Sequence, residues 1–386
     1  ASVAGTVATE ENEMVENTTI SVDGSAAVMP VDQVTDAEGA FAYDLEVGQN
    51  YSLTAARNDN PLNGITTYDL ILLGQHLLET TMLDSPYKLI AADVNNSGSI
   101  TSLDMIALRR MILLIDNEFT NNNSWRFVET AYVFPNPTNP FANTFPEVIN
   151  FNNLTTDQLN SDFVAVKVGD LNNSASPLAL AAGDTRSSND ALVLNLDEQK
   201  LTAGQTYEVA VKANNFTAIN GYQFTVAFDE NMVDFEDFTA GALRGLSADN
   251  FGFAKLNEGA ITTSWNTNTS VTVKDGEALF SLRFVAKKDG NLSEVISVDQ
   301  VRFTTAEAYN TSGDLFDVAF EFDGQVASAD FALHQNRPNP FRNETVIEFE
   351  LPEATTATIT IYDVTGRVLK SIKGDYSKGV NSETIN

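Results

Sequence analysis

The stretch D-V-N-N-S-G-S-I-T-S-L-D, Asp93 to Asp104, decides how the middle of this chain folds. Counted as a twelve-position loop, it places oxygen side chains at positions one (Asp93), three (Asn95), five (Ser97), nine (Thr101) and twelve (Asp104). Ca²⁺ takes about six to eight hard oxygens, and a loop of this length leading into a helix supplies them. Gly98 at position six permits the sharp turn, Ser99 at seven offers its backbone carbonyl, and Ile100 at eight anchors the loop to a core. A tract of Asp, Asn and Ser is often only a solvated turn. Here the full spacing is present and an apolar helix follows, which points to calcium.

A second copy lies upstream. Counting back from Asp69 gives Asn58 as its first position, with Asn60, Asn63 and Gly64 in the loop and Ile65 opposite Ile100. Leu70, Leu73 and Leu77 fall opposite Met105, Leu108 and Ile112, an i, i+3, i+7 spacing that marks one helix face. Pro61 and Leu62 replace ligands in this copy, so it is expected to bind Ca²⁺ more weakly or to use Asp59 in an altered register. A third tract, Asp170, Asn172 and Ser174, repeats the first half of the Asp93 loop, but its twelfth position is Ala181, without an oxygen side chain. It is either a half-site completed by another segment or a turn, and the turn is preferred.

Two loop–helix units of this kind resemble the dockerin module over about Asn58 to Ile115. The resemblance implies a calcium-folded plug for a cohesin partner, contacted just before the twelfth loop position. Here those residues are Thr67 and Tyr68 in one copy, Ser102 and Leu103 in the other. Tyr68 and Leu103 depart from the small hydroxyl residues usual there. Arg109 and Arg110 stand out in a chain poor in basic residues. They either contact an acidic partner or complement the helix C-terminal dipole.

The 386 residues carry 22 Lys and Arg against 53 Asp and Glu, a net charge of −31. That balance opposes nucleic-acid binding, which needs a basic surface. It disfavours anionic membranes and suits a soluble secreted protein that attracts divalent cations. With no cysteine, disulfides, thiolate metal sites and cysteine nucleophiles are excluded. No apolar run approaches the ~18 residues a membrane span needs. No signal peptide opens the chain, and Ala1 leads directly into a strand-like segment, so a longer precursor is expected.

Elsewhere the pattern is mainly β and multidomain, with β-sandwich and jelly-roll modules around the small helical calcium module. Residues 1–57 alternate like short strands and turns. On Gly5, Thr6, Gly39, Phe41 and Tyr51 they resemble the carboxypeptidase regulatory-like and Cna B-type sandwiches. Residues 58–183 read as the dockerin-like module with an extension packing back on its helices, Trp125, Phe127 and Phe134 acting as packing anchors. A linker is expected at Ser187 to Asp190.

Residues 188–326 carry short strands at regular spacing, the signature of a sandwich or jelly roll. The run V-K-A-N-N-F-T-A-I-N-G-Y-Q-F-T-V-A-F-D, with Asn214, Asn215, Phe216, Gly221 and Phe224, resembles a cohesin domain. Trp265 either stacks on a sugar ring, giving a polysaccharide partner, or fills the core, and the core is preferred.

Residues 329–386 resemble the sorting domain of type IX secretion cargo on Asn336, Pro338, Asn339, Pro340 and Phe341, with Ile361, Tyr362, Asp363, Gly366 and Arg367. The resemblance implies contact with that secretion machinery, export by a Gram-negative bacterium, and release or attachment at its outer surface. The family normally continues past Asn386 with a last hairpin. A domain incomplete there is expected to expose a sheet edge that a neighbour's strand could complete.

No catalytic set emerges. The two histidines, His76 and His334, have no nucleophile motif beside them, and neither G-x-S-x-G nor H-E-x-x-H occurs. Any enzyme is expected upstream of Ala1. The expected function is a calcium-stabilised structural or adhesive region, its plug and socket docking within one chain or, less favoured, between chains as a head-to-tail filament. The alternatives are a carbohydrate-binding accessory region and the non-catalytic tail of a secreted hydrolase.

Overall fold

The computed structural model describes residues 1–178, 191–300 and 302–322, and in the tail 325–326, 332–333, 345–351, 355–362, 368–376 and 379–385. Ala181, the linker at Ser187 to Asp190, His334, and the sorting-motif residues Asn336, Pro338, Asn339, Pro340, Phe341, Asp363, Gly366 and Arg367 lie outside the described residues.

In β1 (Ser2–Thr9), Val3, Gly5 and Val7 turn inward while their neighbours turn outward, the period-two pattern of a strand with one buried face. β2 (Thr19–Gly24), β3 (Gln33–Val34), β4 (Ala40–Asp44) and β5 (Tyr51–Ala56) follow. The chain then leaves for α1 (Thr67–Leu77), α2 (Pro86–Ala92) and α3 (Ser102–Ile112). It returns as β6 (Trp125–Glu129), β7 (Val148–Phe151) and β8 (Phe163–Lys167).

The returning strands finish both sheets, whose orders are β4-β1-β8-β6 and β3-β2-β5-β7. Pairing is antiparallel except between β1 and β8, where Val7 lies opposite Phe163. The N-terminal sandwich therefore does not end at residue 57, and the helical module is an insertion between its β5 and β6. Residues 1–57 alone offer two short sheets with unpaired edges, which the extension closes.

β6 and β8 are consequently covered on both faces. Trp125, Phe127, Phe163 and Ala165 enter the sandwich core with Val3, Val7 and Leu53. Val128 and Val166 face the other way and pack with Leu70, Leu73, Leu108 and Ile112 of the helices. No residue of β8 is exposed, Lys167 included. Phe134, placed by Tyr87 and Phe145 in edge and tilted contacts, fills the helical core.

The second large unit comprises β9 (Ala191–Leu196), β10 (Lys200–Leu201), β11 (Thr206–Ala213), β12 (Ile219–Phe228), β13 (Val233–Ala240), β14 (Phe251–Gly252), β15 (Ala260–Val271), β16 (Ala278–Ala286), β17 (Gly290–Asn291), β18 (Ile296–Asp299), β19 (Glu307–Asn310) and β20 (Leu315–Phe322). Its main hydrogen-bonded path is β13-β16-β11-β9-β20-β19-β12-β15-β14, with β18 also on β12. Only the β9–β20 pair on that path is parallel. Phe224, Phe280, Phe320 and Trp265 lie in its core. In the tail, 345–351 pairs antiparallel with 379–385, and 355–362 with 368–376.

Candidate calcium loops and docking face

Both long helices start on the same device. Thr101 caps α3 and Asp104 answers it, its Oδ2 accepting from Thr101 N at 2.8 Å. Thr66 caps α1, and Asp69 Oδ2 accepts from Thr66 N at 2.8 Å. Each Asp is thus a helix capping-box acid as well as the twelfth loop position. Asp104 is fully buried, and that burial raises its carboxyl above the usual range.

Upstream, Asp93 gathers its own loop. Its Oδ1 accepts from Ser97 N and its Oδ2 from Gly98 N, both at 2.8 Å. Gly98 has φ of +76°, the left-handed turn that glycine allows. Ser97 Oγ donates to the Ser99 carbonyl at 3.1 Å. Asn95 Oδ1, the third-position oxygen, is buried with no hydrogen-bond partner. A buried amide oxygen left without a donor is costly, and a cation supplies what it lacks. Asp93, Asn95, Ser97, the Ser99 carbonyl, Thr101 and Asp104 therefore fit a hard, oxygen-seeking cation. Among the described residues no three acidic or histidine side chains gather as metal ligands. Neutral oxygens would supply much of such a shell.

The upstream copy is not assembled as its spacing suggested. Asn58 Oδ1 accepts from Ser124 N at 2.7 Å, and Asp59 pairs with Arg57 at 2.6 Å. Asn60 is exposed at φ +40°. Asn63 is bonded both ways to the Ser176 backbone. The reason is the insertion: the chain around residue 58 is the junction with returning β6, and its polar groups are engaged there. Asp69 instead lies beside the third tract, its Oδ1 accepting from Leu171 N at 2.8 Å. Burial, then the neighbouring Asp170 charge, raises the Asp69 carboxyl.

Opposite the loops, the helices lie on the outer face of β12 and β15. Inward residues of these strands (Tyr222, Phe224, Ile261, Trp265) fill the jelly-roll core. Outward residues (Gln223, Thr262, Ser264) are polar yet fully buried, because the helices cover them. Thr67 N donates to Gln223 Oε1 at 2.6 Å, and Thr67 Oγ1 meets Ser264 Oγ at 2.6 Å. Arg109 donates to Asn266 Oδ1 at 2.7 Å, and Asn266 Nδ2 donates to the Leu70 carbonyl at 3.4 Å. Thr262 Oγ1 donates to the Leu113 carbonyl at 2.7 Å, satisfying an orphan acceptor at the end of α3. The Tyr68 and Tyr309 rings meet at 5.3 Å.

Glycine sets how close the layers come. A Cβ at Gly221 would fall 3.0 Å from Ile71 Cδ1 and Thr67 Cγ2, and one at Gly252 2.1 Å from the Leu113 carbonyl. Of the expected contact residues, Thr67, Tyr68 and Arg109 are in this face. Ser102 and Leu103 are exposed, and Arg110 pairs with Asp116 at the surface.

Gln223, Thr262, Ser264 and Asn266 were not foreseen. Their alternation with core residues was visible in sequence, but a solvent-facing strand alternates in the same way. Trp265 is 1% exposed, stacks on Tyr222, and donates its indole N–H to the Arg244 carbonyl. A ring so enclosed offers no face to a sugar: Trp265 fills the core, as preferred from the sequence, and the weaker carbohydrate alternative at this residue falls away.

Comparison with protein families finds two domains: a cohesin domain over residues 192–321 and a dockerin type I domain over residues 63–113. No curated protein matches the chain. Similar solved structures include the sixth cohesin of Acetivibrio cellulolyticus scaffoldin B in complex with a mutant Cel5 dockerin. It is 19% identical, covering 34% of this chain and 99% of that one, with a TM-score of 0.25. A Clostridium thermocellum Coh-OlpA–Doc918 complex is 14% identical over 34% and 99%, TM-score 0.26. A non-cellulosomal cohesin from Archaeoglobus fulgidus is 16% identical over 33% and 84%, TM-score 0.24. Two stretches of the chain thus match known domain families, cohesin and dockerin type I, the latter a family known to bind calcium.

Proposed function

We propose that this chain is a self-docked structural region of a secreted surface protein, in which the dockerin helices plug the cohesin sheet of the same polypeptide. The observation that carries the reading is the buried polar contact of Thr67 with Gln223 and Ser264 inside one chain. Buried polar groups specify a partner because leaving them unpaired is costly. Calcium at the Asp93 loop holds α3 in the shape that presents Arg109 and the Leu113 carbonyl to β15.

The covalent link keeps plug and socket at high effective concentration, so docking within the chain prevails over docking between chains. The modules are non-catalytic, and the region acts as a rigid structural or adhesive piece rather than an enzyme. Export through the type IX machinery to the outer surface of a Gram-negative bacterium rests on the sorting-domain resemblance of the tail.

Light scattering over a concentration series, with calcium and with EDTA, tests the reading. The expected result is monomer mass at every concentration with calcium present. Mass that grows with concentration in calcium would replace self-docking with a head-to-tail filament.

A further inference from the structure

We propose that the chain builds a second calcium loop from two separate segments, Asp170–Ala175 and Gly64–Asp69, in place of the contiguous loop expected from Asn58. The inference rests on the calcium reading of the Asp93 loop. Laid end to end, D-L-N-N-S-A and G-I-T-T-Y-D follow D-V-N-N-S-G and S-I-T-S-L-D position by position.

The hydrogen bonds follow as well. Asp170 Oδ1 accepts from Ser174 N at 3.1 Å and its Oδ2 from Ala175 N at 2.8 Å, as Asp93 does from Ser97 and Gly98. Ser174 Oγ donates to the Gly64 carbonyl at 2.9 Å, as Ser97 Oγ donates to that of Ser99. Thr66 and Asp69 repeat Thr101 and Asp104. The fourth residues, Asn173 and Asn96, have φ of +57° and +53°. The bonds differ at the second and third positions. Asp69 Oδ1 takes the N–H of Leu171, whereas Asp104 Oδ1 takes that of Asn95. Asn172, whose N–H reaches Asp170 Oδ1 at 3.2 Å, accepts from Ser174 N at 3.2 Å through its Oδ1, where Asn95 Oδ1 has no partner.

At the splice the segments touch. A Cβ on Gly64 would sit 2.4 Å from Ala175 N, and the Asn63 side chain clamps Ser176 from both sides.

Charge argues independently for a cation. Asp69 is 0% and Asp170 4% exposed, and neither has an ion pair among the described residues. The ammonium of the nearby buried Lys167 donates instead to the carbonyls of Pro61 and Val168, at 2.8 and 3.1 Å. Two adjacent carboxylates withdrawn from water are costly unless a cation joins them. Asp170, Asn172, Ser174, the Gly64 carbonyl, Thr66 and Asp69 offer it the same oxygen types as the contiguous loop. Calcium there would staple the segment following β8 to the start of α1, fastening the sandwich to the helix that docks.

Native mass spectrometry of the whole chain in calcium counts the ions. Two are expected for the wild type, one for Asp170→Ala, one for Asp93→Ala, none for the double variant, and two for Asn58→Ala. An unchanged count in Asp170→Ala overturns the split site. If Asp93→Ala still loses one ion, the contiguous loop stands regardless. An ion lost from Asn58→Ala but not from Asp170→Ala returns the second site to the upstream loop. Should Asp170→Ala lose its native far-UV circular dichroism, the double substitution Asn172→Ala, Ser174→Ala takes its place. A calorimetric affinity for one of the two ions reduced at least tenfold supports the split site, and two unaltered affinities overturn it.

Discussion

Asp104 caps α3, and calcium ligation is the second role proposed for it; the two contributions separate experimentally. Losing a cap costs about 1 kcal/mol with or without metal. Losing a ligand matters only when calcium is present, where a site at a hundredfold its dissociation constant stabilises by ~2.7 kcal/mol. Asp104→Ala is therefore expected to lower stability by about 1 kcal/mol in EDTA and by nearly four times as much, ~3.7 kcal/mol, in calcium, with Tm falling accordingly. Equal losses in both buffers, followed by calorimetry, would remove the metal. Gly221 is the corresponding test of docking. Its φ is ordinary, so a larger residue strains no backbone, but Ile71, Thr67 and the Trp265 carbonyl all lie 3.0 Å from the new Cβ. Gly221→Val should cost about 1–3 kcal/mol by overpacking and enlarge the radius of gyration in small-angle scattering. An unchanged radius and Tm would mean the helices do not rest there.

The helices and strands differ in what holds them. α1 and α3 are eleven residues each, too short to persist alone in water, and their loops and caps supply the remainder. β12 and β15 belong to a core of large aromatics. Removing calcium with EDTA should accelerate amide hydrogen exchange in α1 and α3 while leaving β11, β12 and β16 protected. Uniform protection in both buffers would mean the loops need no metal.

The Asp93 loop, both helices and the β character of residues 191–322 were legible from short-range spacing, since each element's own sequence sets its period. The completion of the N-terminal sandwich by β6, β7 and β8 was not. Strand pairing across an inserted module leaves no local mark, and β8 reads simply as an apolar run. The opening half of the upstream loop misled for the same reason: Asn58 lies at the right spacing, but the carboxylate beside Asp69 belongs to Asp170, 101 positions further along the chain.

Taken whole, the molecule is a sandwich that extrudes a helical plug, closes behind it, and meets a jelly roll with that plug. Three interfaces depend on α1: the β6–β8 face, the Asp170 tract, and the β12–β15 face. A chain with no cysteine allows the last to be tested by one clean pair. Thr67 Oγ1 and Ser264 Oγ are 2.6 Å apart, which places the two positions side by side for a cross-link of about 2.05 Å between sulfurs. The double variant Thr67→Cys, Ser264→Cys, oxidised mildly in calcium and run on a non-reducing gel, should close within the chain at every concentration and migrate faster than its reduced form. Failure to close, or a disulfide-linked dimer growing with concentration, would contradict docking of the helices on their own jelly roll.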